Sequence, residues 1–167
     1  LRLLQALAAS SWHVIIRPHP QSKISEKDTL DALMAALKDS PNIEWNYDTE
    51  NLHAMARSRM LISDFSGIIF DFAFLFGRPL VCPSYSFDPR PYDASDCSDE
   101  AWTFKTLRGI ATTMEEKDFA DIDSFLDAAV TDLDRRDAIE KARNEAWAFA
   151  GESGKYVVDY LLTNKKS

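Results

Sequence analysis

The chain predicts an α/β fold, a Rossmann-like, doubly wound parallel sheet with helices on both faces. Apolar runs of strand length alternate with segments of helical period, in the order strand, helix, strand, helix, strand, helix, strand. The connections between them are a few residues long, as in such sheets. Polar clusters stand just after two of the predicted strands, at 17–20 and 63–67, where a parallel sheet collects its ligand-binding groups.

Residues 1–9 read as an amphipathic helix entered partway: they are apolar, lack an initiator Met and have no basic stretch before them. The expectation is a piece of a longer protein. Trp12-His13-Val14-Ile15-Ile16-Arg17 is rich in β-branched residues and stops at Pro18-His19-Pro20, so a buried strand ends there at a rigid loop. Ser25 and Asp28 approximate a capping box for a helix whose apolar face is Leu30, Leu33, Met34 and Leu37. Ser40-Pro41-Asn42 ends it, and 43–47 alternates as a half-exposed strand. Residues 48–51 supply a cap for a helix to about Arg59, with Leu52, Met55 and Ala56 facing inward.

Residues 60–81 condense the whole pattern into strand, turn, buried helix, stop and strand. The apolar run at 67–76 is too short to cross a bilayer and carries Asp71, so it predicts a core helix. A polar segment at 83–100, with Pro83, Pro89 and Pro91, exceeds the usual connection of about 4–6 residues, a length more often functional or mobile than idle. Residues 107–113 predict a last edge strand. Helices are expected at 122–133, 135–149 and 154–162, the second opened by Asp134.

With 167 residues and 46% hydrophobic content, the chain predicts one α/β domain, 1–167, whose C-terminal helices occupy 135–167. Nineteen Lys and Arg against 27 Asp and Glu give a net charge of −8, which argues against nucleic acid as the main partner. Cys82 and Cys97, without CxxC spacing, form neither a disulfide framework nor a zinc ribbon. The expected location is cytoplasmic, and nothing visible calls for a metal or a cofactor.

At the turn after the third strand, Ser63, Asp64, Ser66 and Gly67 combine hydroxyls, a carboxylate and free backbone N–H groups at the positive end of a helix. Such a spot favours a phosphate, and Gly67 lets the backbone approach it. A plain helix cap from Ser63 or Ser66 is the alternative. His19, held between two prolines and beside Arg17, suits a positioned acid, base or phosphate donor, the alternative being a fold feature. Lys23 reads as solvated, and His13 and His53 as structural or surface residues. Asp71, with apolar neighbours on every side, is expected to be buried and to need a partner, Arg17 and Arg78 first and His19 next. The favoured role is a structural ion pair that positions the loop. Arg90, Lys105 and Arg108 are candidates to ring the crevice. No GxGxxG after a strand, GxxxxGK[ST] or GxSxG occurs, so ordinary NAD, ATP and hydrolase readings lack support.

Arg17-Pro18-His19-Pro20, then Ile62-Ser63-Asp64-Phe65-Ser66-Gly67-Ile68-Ile69-Phe70-Asp71-Phe72, then Gly77-Arg78-Pro79-Leu80 resembles the nucleotide-binding half of CDP-glycerol glycerophosphotransferases. These teichoic-acid primases and polymerases share a two-domain GT-B architecture. The resemblance spans 14–81 and rests on an HP pair after a strand, an S-D-[YF]-S-S turn followed by F-D-F, and a K-P or R-P before the next strand. Gly67 stands where the family carries a second serine. The resemblance implies transfer of glycerol phosphate, or a related polyol phosphate, from a CDP-activated donor to a hydroxyl acceptor in wall or capsule polymer synthesis. It implies that His19 contacts or protonates the donor's phosphate side, and that Ser63, Ser66 and the Gly67 amide hold the pyrophosphate, with Arg17 and Asp64 in the same two turns. The partner it implies, besides that nucleotide-activated donor, is an N-terminal α/β domain bearing the other catalytic histidine, without which the fragment turns over nothing. Enzymes of this type work at the membrane's cytoplasmic face, and any membrane contact is expected through the full-length protein. Two rival readings are a UDP-sugar-dependent GT-B glycosyltransferase or epimerase domain, and a non-catalytic flavodoxin-like domain that binds an anion at the same helix.

Overall fold

The computed structural model describes residues 1–84 and 100–163. The first half runs α1 (Arg2–Ala8), β1 (Val14–Ile16), α2 (Ser22–Ser25), α3 (Lys27–Ala36), β2 (Ile43–Trp45), α4 (Leu52–Arg57), β3 (Leu61–Ile62), α5 (Ile68–Phe76) and β4 (Leu80–Pro83). The second half runs α6 (Trp102–Ile110), β5 (Ala111–Met114), a 3-10 segment (Glu116–Asp121), α7 (Ile122–Thr131), α8 (Leu133–Ala146) and α9 (Ser153–Thr163). The protein is mixed α/β, and every strand pairing is parallel. Pairing falls into two ladders, β1-β2 and β3-β4-β5.

Strand β4 sits in the middle of the larger ladder and shows how its two faces are covered. Successive strand residues point to opposite faces. Leu80 packs with Phe72 and Ile69 of α5, Leu107 and Ile110 of α6, and Ile139 of α8. Val81 packs with Leu7 of α1 and with Ile122 and Leu126 of α7. Val14 of β1 and Ile62 of β3 lean on this second cluster, which brings the small ladder against the large one. Polar contacts fix the approach: Asn42 Nδ2 donates to the carbonyls of Leu7, Ser10 and Trp12. Asp123, in the first turn of α7, accepts from the backbone N–H and hydroxyl of Ser11.

Several local expectations need correction. Residues 107–110 are the end of a helix, because Leu107 and Ile110, three apart, both turn into the core, and only 111–114 pair as strand. The helix expected from Ser25 breaks at Glu26 (φ −131, ψ 30) into α2 and α3. Ser25 caps nothing; its hydroxyl donates back to the Gln21 carbonyl. In α4 it is Ala54 and Met55 that are buried, whereas Leu52 and Ala56 are exposed. Helix α8 is capped by Asp132, which accepts from the Arg135 amide at 3.0 Å, two residues before Asp134. The 83–100 segment lies mostly outside the described residues, together with Pro89, Arg90, Pro91 and Cys97. Among the described residues, no helix is long and apolar enough to cross a membrane.

Candidate functional site

The turn between β3 and α5 is built by one side chain. Ser63 extends the β3 ladder by donating its N–H to the Val81 carbonyl at 3.1 Å. Asp64 Oδ1 then accepts the Ser66 amide at 3.0 Å, folding the chain back on itself as an Asx turn. Gly67 follows with φ −55 and ψ −25, already helical, and no side chain caps α5. The Ile69 amide bonds the Ser66 carbonyl and the Phe70 amide bonds the Gly67 carbonyl. The Gly67 and Ile68 amides find no acceptor among the described residues. The hydroxyls of Ser63 and Ser66 are likewise uncommitted, so the plain-cap reading is not what the geometry shows. Asp64, Ser66 and Gly67 are exposed and Ser63 is half-buried, which presents donors and a helix dipole end to solvent. A Cβ placed on Gly67 would meet nothing within 4 Å, so the protein itself leaves room for a serine there.

Cys82, partly buried at the end of β4, faces the same region. Burial first, and the Asp64 carboxylate second, push its thiol above its ordinary pKa. It therefore stays a thiol at neutral pH and is a poor nucleophile.

The loop after β1 carries the second set of residues. His19 is exposed, and its Nδ1 accepts the Gln21 amide at 3.2 Å. With Nδ1 used as acceptor, the neutral ring carries its proton on Nε2, which makes the outward atom a donor. Arg17 is committed elsewhere. Its Nη2 donates to the Asp48 carbonyl at 2.7 Å, the Glu50 carbonyl at 3.3 Å and Asn51 Oδ1 at 2.9 Å. This clamp ties the end of β1 to the loop before α4, and it occupies the Asn51 side chain that would otherwise cap that helix. Arg17 Nη1 is buried with no hydrogen-bond partner. Lys23 stacks over the Tyr47 ring, 4.0 Å from its centroid.

Among the described residues, the ion pair expected of Asp71 is absent. Asp71 is exposed, on an open stripe of α5 with Gly67 and Leu75 at four-residue spacing, while Ile69, Phe72, Ala73 and Phe74 fill the core. An apolar composition around a residue does not bury it when the helix keeps one side to solvent. Arg78 serves α4 instead, its Nη1 donating to the carbonyls of Met55 (3.2 Å), Ala56 (2.9 Å) and Ser58 (2.5 Å). Those carbonyls lie at a helix C-terminus, where a cation is favoured. His13 pairs with Glu44 at the surface, and His53 is exposed. Arg108 forms a bidentate pair with Glu100 and is not free to ring a crevice.

The two turns thus follow the carboxyl ends of parallel strands that lean on one cluster, and no hydrogen bond joins them among the described residues. Beside the first turn lies a cleft of about 190 Å3, lined by Ile16 and Trp45 at the strand ends, Leu30 and Leu33 of α3, Arg17 and Glu26. Glu26 and Trp45 line this cleft but were not among the candidates read from the sequence, because the parallel register that sets Trp45 beside Ile16 is visible only in the fold. Among the described residues, no group of three or more His, Cys, Asp or Glu could hold a metal ion.

Fold and site together define an α/β protein with an open helix N-terminus at a strand end. A scan against protein-family models finds none that matches, and a search of curated proteins finds no match.

Proposed function

We propose that this chain is the donor-nucleotide half of a GT-B-type transferase resembling the CDP-glycerol glycerophosphotransferases. In this reading the two ladders belong to one doubly wound, Rossmann-like domain. The full-length enzyme moves glycerol phosphate, or a related polyol phosphate, from a CDP-activated donor to a hydroxyl acceptor in wall or capsule polymer synthesis. The observation that carries the reading is the uncapped start of α5, where two serine hydroxyls and the Gly67 and Ile68 amides stand without partners. An anion with several oxygens satisfies such a group, and a nucleotide pyrophosphate is of that kind.

Chemistry follows from these residues. Transfer makes CMP the leaving group, and negative charge grows on its phosphate as the bond to the polyol phosphate breaks. Donors fixed in place at the start of α5 stabilise that charge without reorganising. His19, with its proton on Nε2, donates to the same phosphate from the other turn. Arg17 is a loop clamp in this scheme, and Asp64 shapes the turn.

Calorimetry of the chain with CDP-glycerol, CDP and CMP, with UDP as competitor, tests the reading. The expected result is weak cytidine-nucleotide binding that Ser66→Ala reduces by about tenfold or more, the loss of one hydrogen bond to a charged group. Absence of cytidine-nucleotide binding to both this chain and the full-length protein, with Ser66→Ala inert, sinks it.

A further inference from the structure

We propose that α9 and the aromatic seat beside it form the contact surface for a second copy of this chain, each α9 lying on the other copy's seat. This inference is independent of the donor-nucleotide reading and shares no residue with it. Helix α9 presents Tyr156, Val157, Val158, Tyr160, Leu161 and Leu162, all exposed. From Lys155 onward its polar residues are Lys155, Asp159 and Thr163, whose four-residue spacing puts them on one stripe. At about 100° per residue the apolar side chains cover roughly 240° of the circumference, whereas a helix lying on a single layer needs an apolar stripe of about 100°. Such a helix fits between two walls.

One wall is carried by the same chain. Trp147 meets Phe74 of α5 edge-on, with ring centroids 6.4 Å apart, and Phe74 in turn contacts Phe70 at 5.7 Å. Leu75, Trp147 and Phe149 leave an exposed apolar surface there, which the Phe149–Tyr156 stack continues onto α9. A chain that displays both an exposed apolar helix and a seat for one is self-complementary, the condition for a closed two-fold pair. In that pair α9 has the other copy's seat on one side and the other copy's α9 on the other.

Area fits a second copy. The nine exposed apolar side chains, at on the order of 100 Å2 of exposed surface each, give roughly 900 Å2, more than the largest patch of about 300–600 Å2 on an ordinary monomer. Burying about two-thirds of it on both copies removes roughly 1,200 Å2 from water, the low end for a specific interface. Charge weighs against a lipid covering. Lys155 and Asp159 cancel on α9, while the chain as a whole carries −8 and is repelled by an anionic membrane. Two such copies also repel each other, so the association is weak and salt strengthens it.

Sedimentation equilibrium of this chain from about 5 to about 500 µM tests the proposal, with Leu161→Lys on the helix and Leu75→Lys on the seat. Both residues are exposed, so the variants are expected to fold, and melting curves at about 5 µM check that. The expected result is a monomer at the lowest concentration and a dimer with a dissociation constant of tens of micromolar, tightened as salt is raised. Each variant should weaken the dimer by about tenfold or more, although each adds a positive charge to a chain of net charge −8. Mixing the two variants should restore association above that of either alone, because the mixed pair keeps one intact helix on one intact seat. A chain that stays monomeric to about 500 µM overturns the proposal, as does a dimer that neither substitution weakens. Cosedimentation of the monomer with phosphatidylglycerol vesicles through α9, or protection of α9 from hydrogen exchange in a monomeric full-length protein, also overturns it and gives the face to lipid or to another part of the polypeptide.

Discussion

At the scale of single residues, exposure decides roles that composition suggested otherwise. Asp71 lies within an almost unbroken apolar run, yet it faces water with no partner among the described residues. Phe72, its neighbour, is 0% exposed and carries the packing. A surface carboxylate without partners contributes within about 0.5 kcal/mol, whereas removing one member of a buried ion pair costs about 3–5 kcal/mol. Asp71→Ala should therefore leave the urea unfolding midpoint almost unmoved. A loss of several kcal/mol in that experiment would restore the buried brace. The arginines teach the same point. Arg17 and Arg78 each spend a guanidinium on backbone carbonyls, one holding a loop and the other closing a helix, and neither use can be read from which residues precede or follow them.

Among the elements, helix α5 was the most legible and α6 the least. Its nine apolar-rich residues end at Gly77 (φ 59), where the Gly77 amide closes the last turn on the Ala73 carbonyl at 2.8 Å. Period, length and stop signal all agreed there. For α6, the segment before it is polar and proline-rich, and its two buried residues, Leu107 and Ile110, were too few to show a period. The turn of 63–67 was legible as a turn that opens a helix because residue types alone fix it, but the clamp of Arg17 was not, since its partners lie 31 to 34 residues away. Elements β1, β2 and α4 are joined by His13, Glu44 and Arg57. The Arg57 hydrogen bond first, and His13 second, hold the Glu44 carboxyl below its ordinary pKa. A lowered folded-state pKa gives stability that is present above the unfolded carboxylate range and disappears as pH falls through the folded value. The pair is solvent-screened, so the effect is small. Wild type should exceed Glu44→Gln in urea midpoint at about pH 7, and the gap should narrow as the pH falls below the ordinary carboxylate range. A gap that widens on acidification would contradict the coupling.

For the molecule as a whole, the α/β class followed from alternating strand and helix signals, while the division into two ladders did not. Strands of two to four residues carry too little sequence to specify which edge meets which. What unites them is side-chain packing, with Val14 and Ile62 on the cluster that α1 and α7 complete. Helix α9 stands apart from this arrangement. None of its residues is buried, and Tyr160, Leu161 and Leu162 are 68%, 59% and 64% exposed. Tyr156, in its first half, stacks on Phe149, with centroids 4.0 Å apart. An element that buries no side chain adds little to global stability, because burial supplies most of what offsets chain entropy. A chain ending at residue 152 should keep its thermal midpoint within about 3 °C of the full chain, the shift produced by about 1 kcal/mol in a protein of this size. The same truncation removes a contiguous apolar surface, so binding of a hydrophobic dye to the native protein should fall. A midpoint lowered by about 10 °C would mean that α9 packs against the body in solution, and its exposed face would then need a different account.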